Sequence, residues 1–195
     1  PVEWIMAMHN PVDLARNFSA LYSFSQQSTK CFLGIEHQRD MSAALAEFDA
    51  PHADFEDESE LGHYIYWKTE CWRRAFTRLL AVERRTPRHI RYTTRSLRFN
   101  RAYWLSIERF AEWGRPASFE AEVKDDGTVE IDSQNAATLS LELPDRWLKR
   151  GRFARVTWNG RDLGRLEADR QGRIRLQAEG RTPEDREGPV KSTAV

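Results

Sequence analysis

Two hydrophobic periods divide the chain. Between Glu36 and Ala50, Met41, Ala44, Leu45 and Phe48 fall on one helical face, with Arg39, Asp40 and Glu47 elsewhere. This predicts a helix that ends before Pro51, because the residue preceding a proline is pushed out of the helical region. From Lys68 to Val82 the spacing recurs more strongly: Cys71, Trp72, Ala75, Phe76, Leu79 and Leu80 form one stripe, and Arg and Glu occupy the other face. The short apolar run Ala20–Ser25 and the segment Ala53–Asp57 suit strands, Cys31–Ile35 is a second short apolar run broken by Gly34, and Gln26–Lys30 and Glu58–His63 read as loops. At the start, an apolar cluster leads into a His9-Asn10-Pro11 turn, and Pro11 suits the first turn of a short helix through Phe18.

Past Pro87 the period changes to two. Ile90–Thr94, Tyr103–Ile107, Ser118–Val123, Thr128–Ile131, Thr138–Leu143, Arg155–Trp158 and Arg173–Leu176 read as strands. Asp125-Asp126-Gly127 and Asn159-Gly160 are hairpin signals, since such turns need positive φ. The expected class is therefore α/β over residues 1–86, followed by a small all-β, sandwich-like unit over 87–178 and a polar tail over 179–195.

Composition narrows the function. The 195 residues carry formal net charge +0, so no global field steers the chain to nucleic acid or an anionic surface. No apolar run approaches the ~18 residues that a membrane span requires. The sequence opens on Pro1 rather than Met and so reads as processed or truncated. It has no signal-peptide pattern, which leaves the compartment open. Cys31 and Cys71 lie far apart and match no metal spacing; they read as buried thiols, with one disulfide as the alternative.

The chemistry centres on His63. It follows Gly62 on a turn between a strand and a helix, where a neutral imidazole can take a proton from a hydroxyl and return it to a leaving group. The alternative is an ordinary loop histidine. His37 and His52 have no ligand-spaced partners and read as surface residues. The acidic cluster Asp54, Glu56, Asp57, Glu58 and Glu60 could bind Ca²⁺ through oxygens, but it lacks the EF-hand spacing and reads better as a solvated loop. Arg84, Arg85, Arg88, Arg91 and Arg95 form a basic run that suits a salt-bridged surface better than a nucleic-acid patch. Tyr103, Trp104 and Trp113 read as core aromatics, with a carbohydrate platform as the alternative.

Several motifs in order resemble the C-terminal part of α/β-hydrolases, in particular bacterial prolyl-oligopeptidase-like serine hydrolases. They are Pro11, Asp13, Ala15 and Asn17 before a strand, EHQRDM from Glu36 to Met41 opening a helix, and Glu60-Leu61-Gly62-His63 with aromatics to Trp67. The stretch Thr93–Glu108 is similar to the β-rich extension of large bacterial members, and the resemblance runs over about residues 9–143. It implies the C-terminal part of a hydrolase sheet and a peptidase or esterase acting on peptide or ester substrates. His63 would be the general base, no cofactor or metal would be needed, and the missing N-terminal half of the hydrolase domain would be the partner. A secreted or periplasmic full-length form fits the family. Two departures stand out. No G-x-S-x-G elbow occurs in the chain, and counting back from EHQRDM puts Lys30 where the family carries its acid. Glu36, or Asp40 one turn on, is then the substitute acid. A degenerate, non-catalytic homologue whose β unit serves binding is the alternative.

Overall fold

The computed structural model describes residues 11–58, 60–67, 69–83, 85–148 and 152–178. The opening apolar cluster, the His9-Asn10 half of the first turn, Arg84 and the polar tail lie outside the described residues. Pro11–Phe18 forms a 3-10 helix, with Ala15 buried. Strand β1 (Ser23–Ser28) leads through a turn to helix α1 (Glu36–Glu47), and β2 (His52–Asp57) returns parallel to β1. Their register runs from Ser23 opposite His52 to Ser28 opposite Asp57. A 3-10 turn, Gly62–Trp67, then enters helix α2 (Thr69–Leu80).

Nine strands follow: β3 (His89–Thr94), β4 (Arg101–Ala102), β5 (Leu105–Phe110), β6 (Ala117–Val123), β7 (Thr128–Gln134), β8 (Ala136–Leu141), β9 (Phe153–Trp158), β10 (Arg161–Glu167) and β11 (Ile174–Gln177). They form a five-stranded sheet, in the order β10-β9-β7-β6-β3, and a four-stranded sheet, in the order β11-β8-β5-β4. All pairings are antiparallel except β7 with β9. Alternate residues of the two sheets meet in one core. Phe119, Ala121 and Val123 of β6, with Val129 and Ile131 of β7, share it with Leu105 and Ile107 of β5 and Leu139 and Leu141 of β8. Trp104 is sealed in as well, and its indole N–H donates to Pro87 O at 2.9 Å.

This architecture corrects the expected fold class. The chain is β-rich with mixed sheets, and no α/β-hydrolase sheet is present among the described residues. The parallel β-α-β unit amounts to two strands, whereas a hydrolase sheet needs a run of parallel strands with helices on both faces. The physical reason lies in the share of period-two pattern: strands dominate everything after Leu80. The short apolar run Cys31–Ile35 forms a turn, closed by Cys31 N–H donating to Ser28 O and Gly34 N–H to Cys31 O, both at 3.0 Å.

The front of the molecule is tied to the five-stranded sheet by polar contacts. Asn17 acts as a surrogate strand residue on the edge of β3: its Oδ1 accepts from Thr93 N–H at 2.6 Å and its Nδ2 donates to Thr93 O at 2.9 Å. Arg91 donates to Phe48 O at 2.9 Å and to Glu120 Oε1 at 2.9 Å, while the guanidinium groups of Arg16 and Arg91 both lie 5.9 Å from the Phe48 ring. Tyr103 O–H donates to Ala20 O at 3.2 Å. Burial pushes the Glu120 carboxyl up, but hydrogen bonds from Arg91 and His89 outweigh it and hold the group below its ordinary value.

Candidate functional site

The carboxyl ends of β1 and β2 lie side by side, and the loops that leave them build the site. Thr29 N–H donates to Asp57 O at 2.8 Å, which extends the parallel ladder by one residue. Beyond it, the two loops approach backbone to backbone. Gly62 has φ +51, and a Cβ on it would stand 2.9 Å from Lys30 O and 3.9 Å from Cys31 Cα. Only glycine takes this conformation at this separation without strain. The approach places His63 against Cys31.

His63 is exposed, with Nδ1 3.4 Å from Cys31 Sγ. The Phe32 ring lies 4.9 Å from the imidazole and Tyr64 meets it edge-on at 5.9 Å, with Trp67 4.9 Å further along from Tyr64. The histidine is thus held in an aromatic rim with a thiol at one ring nitrogen. The other thiol, Cys71, donates to Ile65 O at 3.0 Å. Neither cysteine forms a disulfide, and both are buried, as the sequence spacing predicts.

The candidate acids stand elsewhere. Glu36, the first residue of α1, is exposed and its carboxylate folds back over Gly34; Asp40 is exposed one turn on. Among the described residues no hydrogen bond or ion pair joins either of them to His63. Lys30 stands beside the histidine loop, and its ammonium pairs with Glu60. Two members of the acidic cluster are ion-paired, Glu56 with Arg39 at 2.7 Å and Glu60 with Lys30, and Asp54 lies 3.5 Å from His52 Nε2. Hydrogen bonding to Arg39, against a small opposing burial effect, holds the Glu56 carboxyl below its ordinary value. In the basic run, Arg85, Arg88 and Arg91 pair with Glu83, Asp125 and Glu120. Trp104 is core while Trp113 is exposed against Phe110, so the three aromatics form no common platform.

The stripe of α2 is the largest surprise in this region. Cys71 is buried, but Trp72 is 53% exposed, Phe76 56% and Leu80 82%, so most of the apolar stripe looks outward. With Phe32, Leu33, Tyr64 and Trp67 it brings a large apolar surface to the histidine side of the molecule. A separate cleft of about 820 Å³, lined by residues including Leu21, Tyr22, Leu79, Val82, Tyr92 and Tyr103, opens between the front elements and β3–β4; His63 is not among its lining residues. The sequence reading passed over Cys31 and Phe32 as site residues. No local sequence signal points to them, because their contact with the histidine depends on an approach of two loops distant in the chain.

No protein-family model, no curated protein and no solved structure matches the chain.

Proposed function

We propose that this chain supplies the general base, His63, of an acyl-transfer hydrolase, a peptidase or esterase of the kind its motifs resemble. One observation carries the reading: an exposed imidazole stands on a glycine-required turn at the carboxyl ends of two parallel strands, with its ring fixed from the sides. Such edges are where strand-loop-helix units present reactive groups. In the tautomer with its proton on Nδ1, facing Cys31 Sγ, the lone pair of Nε2 is the one that takes part in proton transfer. There it takes the proton of an attacking hydroxyl as the oxygen bonds the scissile carbonyl carbon, then delivers that proton to the departing alkoxide or amine. The chain has no G-x-S-x-G elbow, so this reading requires the hydroxyl nucleophile to come from another polypeptide segment.

The second reading, a non-catalytic homologue, is favoured by one contact. The residue in the acid's place is Lys30, paired with Glu60, and a thiol rather than a carboxylate stands at Nδ1. In a hydroxyl-imidazole-carboxylate triad, loss of a working carboxylate costs about four orders of magnitude in rate.

The test is labelling by a fluorophosphonate of the protein made from its native reading frame, beside His63→Ala. The hydrolase reading expects labelling of wild type that falls by roughly a hundredfold or more in the variant. Equal labelling of the two removes His63 as base. No labelling of either supports the non-catalytic reading.

A further inference from the structure

The two thiols of this chain are matched in burial and opposed in environment, and their difference carries a site of its own. Cys31 and Cys71 are each 8% exposed. Cys71 is set into α2, and its S–H donates to the carbonyl of Ile65, a buried residue. That bond engages the proton without offering a base to receive it. Cys31 Sγ instead lies 3.4 Å from His63 Nδ1, a nitrogen that accepts the thiol proton in the tautomer whose own proton is on Nε2. Over Cys31 Sγ stands the exposed imidazole of His63, which packs in turn on the exposed Phe32 ring at 4.9 Å. The backbone beneath is fixed: Lys30 N–H donates to Ser28 Oγ at 3.1 Å, Cys31 N–H to Ser28 O at 3.0 Å, and the Gly62 turn closes on Lys30 O.

We infer that Cys31 and His63 form a nucleophilic thiol-imidazole pair that takes α,β-unsaturated carbonyl compounds, with the aromatic rim of Phe32 and Tyr64 as the platform for the electrophile. The thiolate, not the thiol, is the nucleophile. As Sγ bonds the β-carbon of the electron-poor alkene, the S–H proton passes to His63 Nδ1. The alkene π pair moves onto the carbonyl as an enolate, and the proton on the imidazolium is then delivered to the α-carbon, directly or through water. One S–C and one C–H bond form, the C=C π bond and the S–H bond are lost, and no oxidant or leaving group is needed. A planar, apolar alkene can lie against the ring faces, which a charged or strongly hydrated electrophile would not do as well.

This site does not rest on the hydrolase reading. A fluorophosphonate reports a hydroxyl nucleophile supplied from elsewhere, whereas a maleimide reports Cys31, so either can fail alone. The experiment is modification of the full chain by N-ethylmaleimide under native conditions, followed with time by peptide mass spectrometry at both cysteines. Cys31 is expected to react at least about tenfold faster than Cys71, well within what general-base assistance can supply. In His63→Ala the rate at Cys31 is expected to fall by about the same factor, with Cys71 unchanged. His63→Gln, which keeps much of the cover but not the base, is expected to fall likewise. Equal rates at the two cysteines in wild type overturn the proposal. So does a faster Cys31 in His63→Ala, because His63 would then be a lid whose removal uncovers the thiol. Should His63→Ala unfold, Cys71 accelerates too, and the wild-type ratio together with His63→Gln decides.

Discussion

From β3 onward, apolar residues point inward and meet: Ile90, Phe119, Val129, Leu139, Val156 and Leu176 all belong to one sealed core. Before β3, the buried cluster is Ala15, Leu45 and Ala50, and the strongest apolar stripe in the sequence, that of α2, faces mostly outward. Similar hydrophobic residue types are used in both regions. The difference is whether each apolar face finds another face of the same molecule. Two sheets laid over each other cover themselves. A two-stranded parallel unit with two helices has too few layers to do so, and the residues that can do chemistry, Cys31 and His63, lie in this incompletely covered region. The chemistry proposed for this chain thus falls where the fold is least self-sufficient, as expected for loops carried on a rigid support.

The largest effect separating the two regions should come from truncating their apolar side chains. Leu139→Ala, in the sealed core, is expected to lower stability by about 2–5 kcal/mol in urea titration. Leu80→Ala, on the outward stripe, should stay within about 0.5 kcal/mol. A large loss at Leu80 would mean that α2 is covered in solution, for instance by a second copy of the chain.

Next in size is the turn that joins the site. Gly62→Ala puts a Cβ 2.9 Å from Lys30 O at φ +51 and should cost about 1–2 kcal/mol. The cost should appear as faster amide exchange in the 29–35 and 60–67 loops, with the β core unaffected. Unchanged exchange there would show that the two loops do not depend on the glycine approach.

A smaller effect sits at the join between the regions. Glu120 titrates below its ordinary 4.5 in the folded state. A depressed carboxyl contributes stability that is present above its unfolded value and lost as pH falls through the folded one. Wild type should therefore lose stability below pH 4.5, and Glu120→Gln should flatten that part of the curve. Parallel curves for the two proteins would remove Glu120 from the join. The smallest effect is expected at Lys30–Glu60: both side chains are largely exposed, so Lys30→Ala should change stability by less than about 1 kcal/mol.

How much of this was legible in the sequence follows the same division. Most of the period-two strands lie where alternation predicts, because their alternation is enforced by a real two-sided environment; β6, with every second residue buried, is the clearest case. β10 was not legible: Arg161–Glu167 is charged, interrupted by Gly164, and forms an outer strand of the five-stranded sheet with no buried residue to betray it. The helical span of α2 was legible, but its orientation was not, since an amphipathic period reports that a face is apolar and not what covers it. The order of motifs pointed to a hydrolase sheet, and the two parallel strands found are too few to be one. In the site, His63 could be found from the glycine before it. Its neighbour Cys31 could not, because the contact depends on a loop approach between residues 32 positions apart.

The central claim, that the histidine-bearing region is locally uncovered while the β region holds itself together, is tested most directly by native-state hydrogen exchange across the whole chain. The account predicts that amides of β5, β6 and β8 open only with global unfolding, while those of α2 and the Gly62–Trp67 turn exchange through local openings of markedly lower free energy. Equal protection of α2 and the β core would contradict it.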